Sequence, residues 1–124
     1  MITKLGKVLR KARVDSEMTL GDMADAVGIS PAFLSAIENG KKDIKEPLVE
    51  KLANLLKLSD EKLVEFQMIA MASNSEVRVN LEKHGEKQIE AVTLLARHIA
   101  DLSEDSLEDI SKIINKEINM SRKA

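Results

Sequence analysis

The basic residues near the amino end are the first group of side chains that could bind a ligand. Five lie within the first thirteen positions, where no acidic residue occurs: Lys4, Lys7, Arg10, Lys11 and Arg13. Residues 1–58 carry ten basic and eight acidic side chains, whereas residues 59–124 carry nine basic and thirteen acidic ones. A polyanion would therefore bind the first half and be repelled by the second, although a solvated helix face can carry the same charges.

Residues for catalysis or metal binding are sparse. The chain has no cysteine, so thiol nucleophiles, thiolate metal sites and disulfides do not arise. His84 and His98 would be roughly 21 Å apart even on one unbroken helix, whereas a metal site needs three or four converging ligands. The five glycines are scattered singly, so there is no glycine-rich phosphate loop. We expect no enzymatic activity, no cofactor and no metal.

The composition of the 124 residues narrows the binding classes further. Aromatic residues make up only 2%, Phe33 and Phe66, so the stacking platforms that grip single-stranded nucleic acids are missing. No run of apolar residues is long enough to span a membrane, and no basic-then-apolar leader is present. We therefore expect a cytoplasmic protein without a membrane partner.

The elements that must position the binding residues are helices, as the apolar spacing shows. Thr19 to Asp22 has the pattern of a capping box, Ser30-Pro31 pairs an N-cap with a first-turn proline, and Gly28 suits a position just past a helix end. Five helices are predicted in the first half: Ile2 to about Asp15, Thr19 to Gly28, Ser30 to Asn39, one opened by Pro47, and Ser59 to about Ser73.

The second half follows a different pattern. Val77, Val79 and Leu81 alternate with polar residues, which suggests a short connector that is either strand-like or irregular. Residues 86–118 have helical apolar spacing broken near Ser103, which predicts a helical hairpin. The fold class is therefore all-α, with a helical domain over residues 1–73 and a helical extension over residues 74–124.

Residues 19–40 have the pattern that two short, closely crossing helices require. Ala24 is small enough for the backbones to touch, and Gly28 allows the tight turn between them. Apolar residues on both sides can seal the crossing: Met23, Val27, Ile29, Leu34 and Ile37. In such a pair the second helix projects into the major groove of DNA, and the first crosses the backbone.

This stretch resembles the helix-turn-helix of the Cro and lambda-repressor family, the XRE-type regulators. The matching residues are Thr19, Met23-Ala24, Gly28-Ile29-Ser30, Leu34-Ser35, Ile37-Glu38-Asn39-Gly40 and Pro47, followed by Leu52, Ala53 and Leu56. The resemblance covers residues 1 to about 58 and implies a five-helix fold completed by the helix from Ser59. It also implies sequence-specific binding to double-stranded DNA.

The resemblance implies roles for particular residues. Base edges would be met near the start of the recognition helix by Ser30, Pro31, Ala32 and Phe33, with Ser35 and Ala36 one turn later. Phosphates would be bound by backbone amides at the starts of the second and third helices, by the backbone around Thr19 and Leu20, and by Asn39, Lys41 and Lys42, with help from Lys45. Leu20 stands where the family usually has glutamine, which removes one phosphate-binding side chain.

Two features qualify these roles. Because Pro31, Ala32 and Ala36 cannot hydrogen-bond to bases, direct readout would depend on Ser30, Ser35 and apolar contact with thymine methyl groups, from Phe33 unless that ring merely packs. Arg13 and Glu38 occupy positions that often form an ion pair between the first and third helices, which would be structural.

The leading hypothesis is a dimeric repressor that binds an inverted repeat and dimerises through its C-terminal helices. A second hypothesis keeps DNA binding but makes the chain an antitoxin, with residues 75–118 binding a toxin. A third is a protein-interaction module that has lost DNA binding. Gene neighbourhood and salt-dependent duplex binding would separate the three.

Overall fold

A computed structural model describes residues 1–123 of the chain, and side chains as far as Ser121. The helices are α1 (Lys4–Asp15), α2 (Leu20–Ala26), α3 (Pro31–Glu38), α4 (Glu46–Leu55), α5 (Asp60–Ala72), α6 (Glu86–His98) and α7 (Glu104–Lys123). A short 3-10 turn, Ile99–Asp101, follows α6. The first unit spans residues 1–78 and carries α1–α5, and the second unit begins at Val79. The all-α class predicted from the sequence is confirmed.

The helices begin where hydroxyl side chains can accept a backbone N–H. Thr3, Thr19, Ser30 and Ser59 are the N-caps of α1, α2, α3 and α5, and each hydroxyl accepts from the amide three residues later. Such a cap satisfies one of the four amides that a helix start leaves without a partner. The predicted starts at Thr19, Ser30 and Ser59 are confirmed.

The turn between α2 and α3 depends on a left-handed residue. Gly28 has φ +75°, and the following Ile29 N–H donates to the carbonyl of Ala24 at 3.0 Å. This six-to-one hydrogen bond closes the end of α2 and starts the reversal into α3. The two helices meet at 105°, within the 90–120° that is typical of a helix-turn-helix.

The core of the first unit is built from all five helices. α1 packs against α2, α3 and α5, α2 packs against α3, and α4 packs against α5. The buried apolar residues are Leu5, Leu9, Met23, Ala24, Val27, Leu34, Ile37, Ile44, Leu48, Val49, Leu52, Ala53, Phe66 and Ala70. Ala24 is fully buried, as the predicted contact between α2 and α3 requires.

None of the described helices is, by itself, long and apolar enough to cross a bilayer. The bent pair α2 and α3 meets that criterion only when joined, and its apolar residues Met23, Ala24, Leu34 and Ile37 are part of the core.

Gly6 allows α1 to lie directly against the end of α3. A Cβ added at this position would collide with the carbonyl oxygen of Glu38 and would lie 2.7 Å from Cγ1 of Ile2. That same carbonyl accepts the N–H of Thr3 at 2.9 Å and its hydroxyl at 3.1 Å. Glycine is therefore needed here for space, because two backbones meet at this point.

Replacing Gly6 with alanine should destabilise the first unit by about 1–3 kcal/mol, the usual cost of forcing an extra methyl group into a packed site. Urea unfolding followed by circular dichroism measures the free energy of unfolding. The matched control is Gly21→Ala, since the nearest atom to an added Cβ is Oγ1 of Thr19 at an ordinary 3.7 Å. That control should gain up to about 1 kcal/mol, because alanine is the better helix former. Equal stability of both variants would contradict the close approach.

Of the two forms predicted for the connector around residues 77–81, the strand is wrong and the irregular form is observed. These residues have no regular secondary structure, and Val77 and Val79 are 63% and 51% exposed. A strand needs a neighbouring strand to pair its backbone groups, and the described residues include none. The alternation of apolar and polar residues here does not correspond to a buried face.

The second unit contains the two helices predicted for residues 86–118. The described part of α7 extends past Ile118, to Lys123. The half-buried apolar residues of these two helices and of the segment that joins them lie on both sides of the turn: Val92, Leu95, Leu102, Leu107 and Ile110. The apolar residues farther from the turn are exposed in the single chain, as Ile114 and Ile118 show.

Candidate nucleic-acid interface

The first turn of α3 is presented to solvent while the opposite side of the helix is anchored in the core. Ser30, Pro31, Ala32 and Phe33 are all exposed. Leu34 and Ile37 are no more than 1% exposed and hold the helix against its neighbours. The surface that the sequence assigned to base contact is therefore accessible in the chain.

The exposed first turn offers few hydrogen-bonding groups. The hydroxyl oxygen of Ser30 accepts the N–H of Phe33 at 3.1 Å, so its proton and one lone pair remain for a base. Phe33 is 38% exposed, so its ring is accessible to solvent without being fully free of neighbouring atoms. Both sequence interpretations of Phe33, packing and apolar contact, are compatible with this placement.

The second turn of α3 is less exposed to solvent than the first. Ser35 and Ala36 are half-buried. Asn39, also half-buried, donates one side-chain N–H to the carbonyl of Ser35 at 2.9 Å and thereby closes the end of α3. The same nitrogen also donates to the Ser35 hydroxyl at 3.5 Å, a long contact that a phosphate can replace, and the amide oxygen is left for a water.

The start of α2 carries a carboxylate where the sequence led us to expect phosphate contacts. Thr19 donates its N–H to Asp22 at 3.0 Å, and Asp22 donates its N–H to the Thr19 hydroxyl at 3.0 Å, which confirms the predicted capping box. These hydrogen bonds, the backbone one first, lower the pKa of Asp22 below its usual value. The N–H groups of Leu20 and Gly21 remain for an anion, while the Leu20 side chain packs against the core.

The loop after α3 holds two exposed lysines, Lys41 and Lys42. The hydrogen bond from Thr3 to the Glu38 carbonyl brings the start of α1, with exposed Lys4, close to this loop. Lys4, Lys41 and Lys42 therefore lie in backbone segments that meet next to the end of α3. Lysines so placed can neutralise DNA phosphates.

A clasp of hydrogen bonds made by Asn74 and Ser75 fixes this loop, and no pattern in the sequence indicates it. Asn74 accepts the N–H of Ile44 at 2.7 Å and donates to its carbonyl at 3.0 Å, so its amide pairs with the loop backbone. Asp43 accepts the N–H of Ser75 at 3.1 Å and its hydroxyl at 2.9 Å. These bonds, the backbone one first, lower the pKa of Asp43.

An ion pair between α1 and α3 fixes the angle of the recognition helix. Arg13 donates from both terminal nitrogens to the two carboxylate oxygens of Glu38, one bond measuring 3.0 Å. Glu38 is 1% and Arg13 8% exposed, so the pair is buried. Nε of Arg10 lies 3.6 Å from the same carboxylate. The predicted pairing of Arg13 with Glu38 is confirmed.

Comparisons with known proteins agree with this geometry. A family described as a helix-turn-helix domain matches residues 4–66, about half of the chain. The uncharacterised HTH-type transcriptional regulator RghRB of Bacillus subtilis (strain 168) is 32% identical over 115 residues, which are 90% of this chain and 83% of that protein. The HTH-type transcriptional repressor RghR of the same organism is 38% identical over 60 residues, which are 48% of this chain and 44% of that protein.

Among solved structures, the crystal structure of the clp gene regulator ClgR from Corynebacterium glutamicum aligns with this chain. The TM-score is 0.45 and the identity 26%, and the alignment covers 76% of this chain and 89% of ClgR.

Proposed function

Since this chain belongs to the helix-turn-helix family of DNA-binding transcription regulators, we propose that it is a dimeric, sequence-specific repressor that binds an inverted repeat through α3. The observation that carries the proposal is the orientation of α3. Its first turn is exposed from Ser30 to Phe33, and Leu34 and Ile37 behind it are buried. An α-helix held in this way fits the major groove of B-form DNA.

Each candidate residue has a role in this proposal. Ser30, Pro31, Ala32 and Phe33 face the base edges, with Ser35 at the margin of the contact. The backbone around Thr19 and Leu20, the side-chain amide of Asn39, and Lys41 and Lys42 bind phosphates on either side of the groove. The clasp and the buried ion pair hold these two sets of groups at a fixed separation.

Specificity in this proposal depends little on side-chain hydrogen bonds. Of the exposed first-turn residues, Pro31, Ala32 and Phe33 offer only apolar surface. Such surface favours thymine methyl groups, and the remaining discrimination comes from groove shape and from the spacing of half-sites.

Two copies are required because one recognition helix reads only a few base pairs. Dimers of this class bind half-sites about 34 Å apart, one helical turn of DNA. The second unit supplies the dimer interface, since its apolar residues are left exposed in the single chain. A repressor role is supported by the relative RghR, which is named a transcriptional repressor. Repression would follow if the bound dimer occluded a promoter.

Selection of bound duplexes from a random pool tests the proposal. We expect enrichment of two inverted half-sites with centres about 10 base pairs apart or a multiple of that distance. Binding to the selected duplex should weaken as salt rises, by about 10³-fold or more between 50 and 200 mM if six or more phosphates are contacted. A single enriched half-site would contradict the dimer. No salt-sensitive binding to any duplex would refute the DNA-binding role and favour the protein-interaction module instead.

A further inference from the structure

The loop between α3 and α4 is held at both of its ends. At the first end, the N–H groups of Lys41 and Lys42 donate to the carbonyl of Ala36 at 2.8 and 3.3 Å. At the second end, the clasp binds the backbone of Ile44 and the side chain of Asp43. The two exposed lysines therefore lie between two attachments, only one of which belongs to α3.

The clasp pairs backbone groups that the loop does not pair by itself. Residues 43–45 have no regular secondary structure. The N–H and the carbonyl of Ile44 are both paired with the side-chain amide of Asn74, and a buried backbone group without a partner would destabilise the loop. The Ile44 side chain is 3% exposed and anchors its own Cα, but only the amide pair fixes the directions of the two peptide planes beside it.

Asn74 and Ser75 are themselves held by the end of α5. The N–H of Asn74 donates to the carbonyl of Met71 at 3.1 Å, and the Ser73 hydroxyl donates to the carbonyl of Ala70 at 2.6 Å. Ala70 is fully buried in the core of the first unit. The clasp therefore joins the loop to a second helix of the core, so that the position of the two lysines does not depend on α3 alone.

The clasp is built so that it can open locally. The two hydrogen bonds between Ser75 and Asp43 are exposed, so water competes for each of them. Residues 76–80, which follow, are exposed and have no regular secondary structure. Segments with exposed hydrogen bonds and few buried contacts are the parts of a protein that open most readily. A ligand that binds the closed form better than the open form shifts the population toward the closed one.

We propose that Asn74 and Ser75 are positioning residues for DNA binding: the closed clasp holds the backbone of Lys41 and Lys42 for the phosphates, and duplex binding in turn favours the closed clasp. The effect is reciprocal, because DNA that binds the closed form more tightly must stabilise that form by the same factor. Opening the clasp leaves the lysines charged but unordered, so binding must order them. The inference rests on DNA binding in the proposed function, and on neither the dimer nor the repressor role.

Replacing Asn74 with alanine tests the positioning role in the full-length chain. Affinity for the duplex selected from the random pool should fall about tenfold, because two lysine side chains and their loop are then ordered only at the moment of binding. In a chain that already carries Lys41→Ala and Lys42→Ala, the same replacement should change the affinity by less than about twofold, because no lysine is left to position. A tenfold loss in both backgrounds would overturn the proposal, since Asn74 would then act on the fold and not on the lysines.

Further variants separate positioning from folding. Asn54→Ala removes an amide at an exposed position of α4, outside the clasp and the proposed interface, and should leave duplex affinity within about twofold of wild type. Ser75→Ala removes one hydrogen bond of the clasp and should weaken binding about threefold, even if Asn74→Ala does not fold. Ser75→Thr keeps the hydroxyl and should restore the affinity. Wild-type affinity in both Asn74→Ala and Ser75→Ala would overturn the proposal.

Amide hydrogen exchange with and without the selected duplex tests the reciprocal effect. The N–H groups of Ile44 and Ser75 donate to oxygens of the clasp, so their exchange measures its opening. Saturating duplex should slow both by about tenfold, the factor by which opening weakens binding. Unchanged exchange in the complex would overturn this inference and leave DNA binding in place. A wild-type chain that binds no duplex would instead refute the proposed function, and this role of the clasp with it.

Discussion

Replacing Arg13 with alanine should lower the free energy of unfolding of the first unit by about 3–5 kcal/mol, because it leaves a buried carboxylate without its partner. Glu38 is 1% exposed and cannot turn toward water, and its oxygens are held by both terminal nitrogens of Arg13. Arg10 offers only partial compensation, since its nearest atom is 3.6 Å away and its side chain is 54% exposed. Chemical denaturation followed by far-ultraviolet circular dichroism measures the loss.

A double variant separates the cost of leaving the buried Glu38 carboxylate without a partner from the net contribution of the Arg13–Glu38 pair to stability. Arg13→Met with Glu38→Leu removes both charges and should fall within about 1–2 kcal/mol of wild type, because an apolar pair of similar size often replaces a buried ion pair without loss. Under conditions in which it is still folded, the Arg13→Ala variant should select the same half-sites as the wild type, because the ion pair contacts no DNA in the proposed complex. A changed half-site sequence would contradict the structural role of Arg13.

The helix starts and the turn between α2 and α3 could be predicted because their causes are local. A hydroxyl at Thr19 or Ser30 caps the helix that follows it. Glycine at position 28 adopts the left-handed conformation that ends α2 and begins the turn into α3. The spacing of Leu34 and Ile37 then determines which side of α3 is buried. The exposed first turn follows from these few residues, without reference to any distant part of the chain.

The remaining features depend on residues far apart in sequence. The sequence showed Gly6 as one of several isolated glycines, yet its role is set by a carbonyl 32 positions later, that of Glu38. Asn74 pairs with the backbone of Ile44 across 30 residues, and no local pattern indicates such a partner. The predicted strand failed for the same reason, since alternation around Val79 specifies a strand only where another strand lies beside it.

The largest effect on DNA binding is expected from Ala32→Glu, at the exposed first turn of α3. A carboxylate here would enter the groove without a base donor positioned for it and would approach the phosphates. A lost base contact costs about 1–3 kcal/mol, and a dimer carries the change twice, so affinity for the selected duplex should fall about a hundredfold or more. Fluorescence anisotropy at fixed salt measures it. Folding should be unaffected, because glutamate in the first turn of a helix interacts favourably with the helix dipole.

The control for Ala32→Glu must add the same charge at an exposed helical alanine that the proposed interface does not include. Ala91 on α6 meets this requirement, and Ala91→Glu should leave duplex affinity within about twofold of wild type, since a single charge outside the proposed interface changes binding mainly through weak, screened repulsion. The comparison removes the effect of net charge, which is equal in the two variants. Equal losses of affinity in both would mean that the response is general repulsion. Only a loss confined to Ala32→Glu places the first turn of α3 against DNA, because the two variants differ in nothing but where the carboxylate stands.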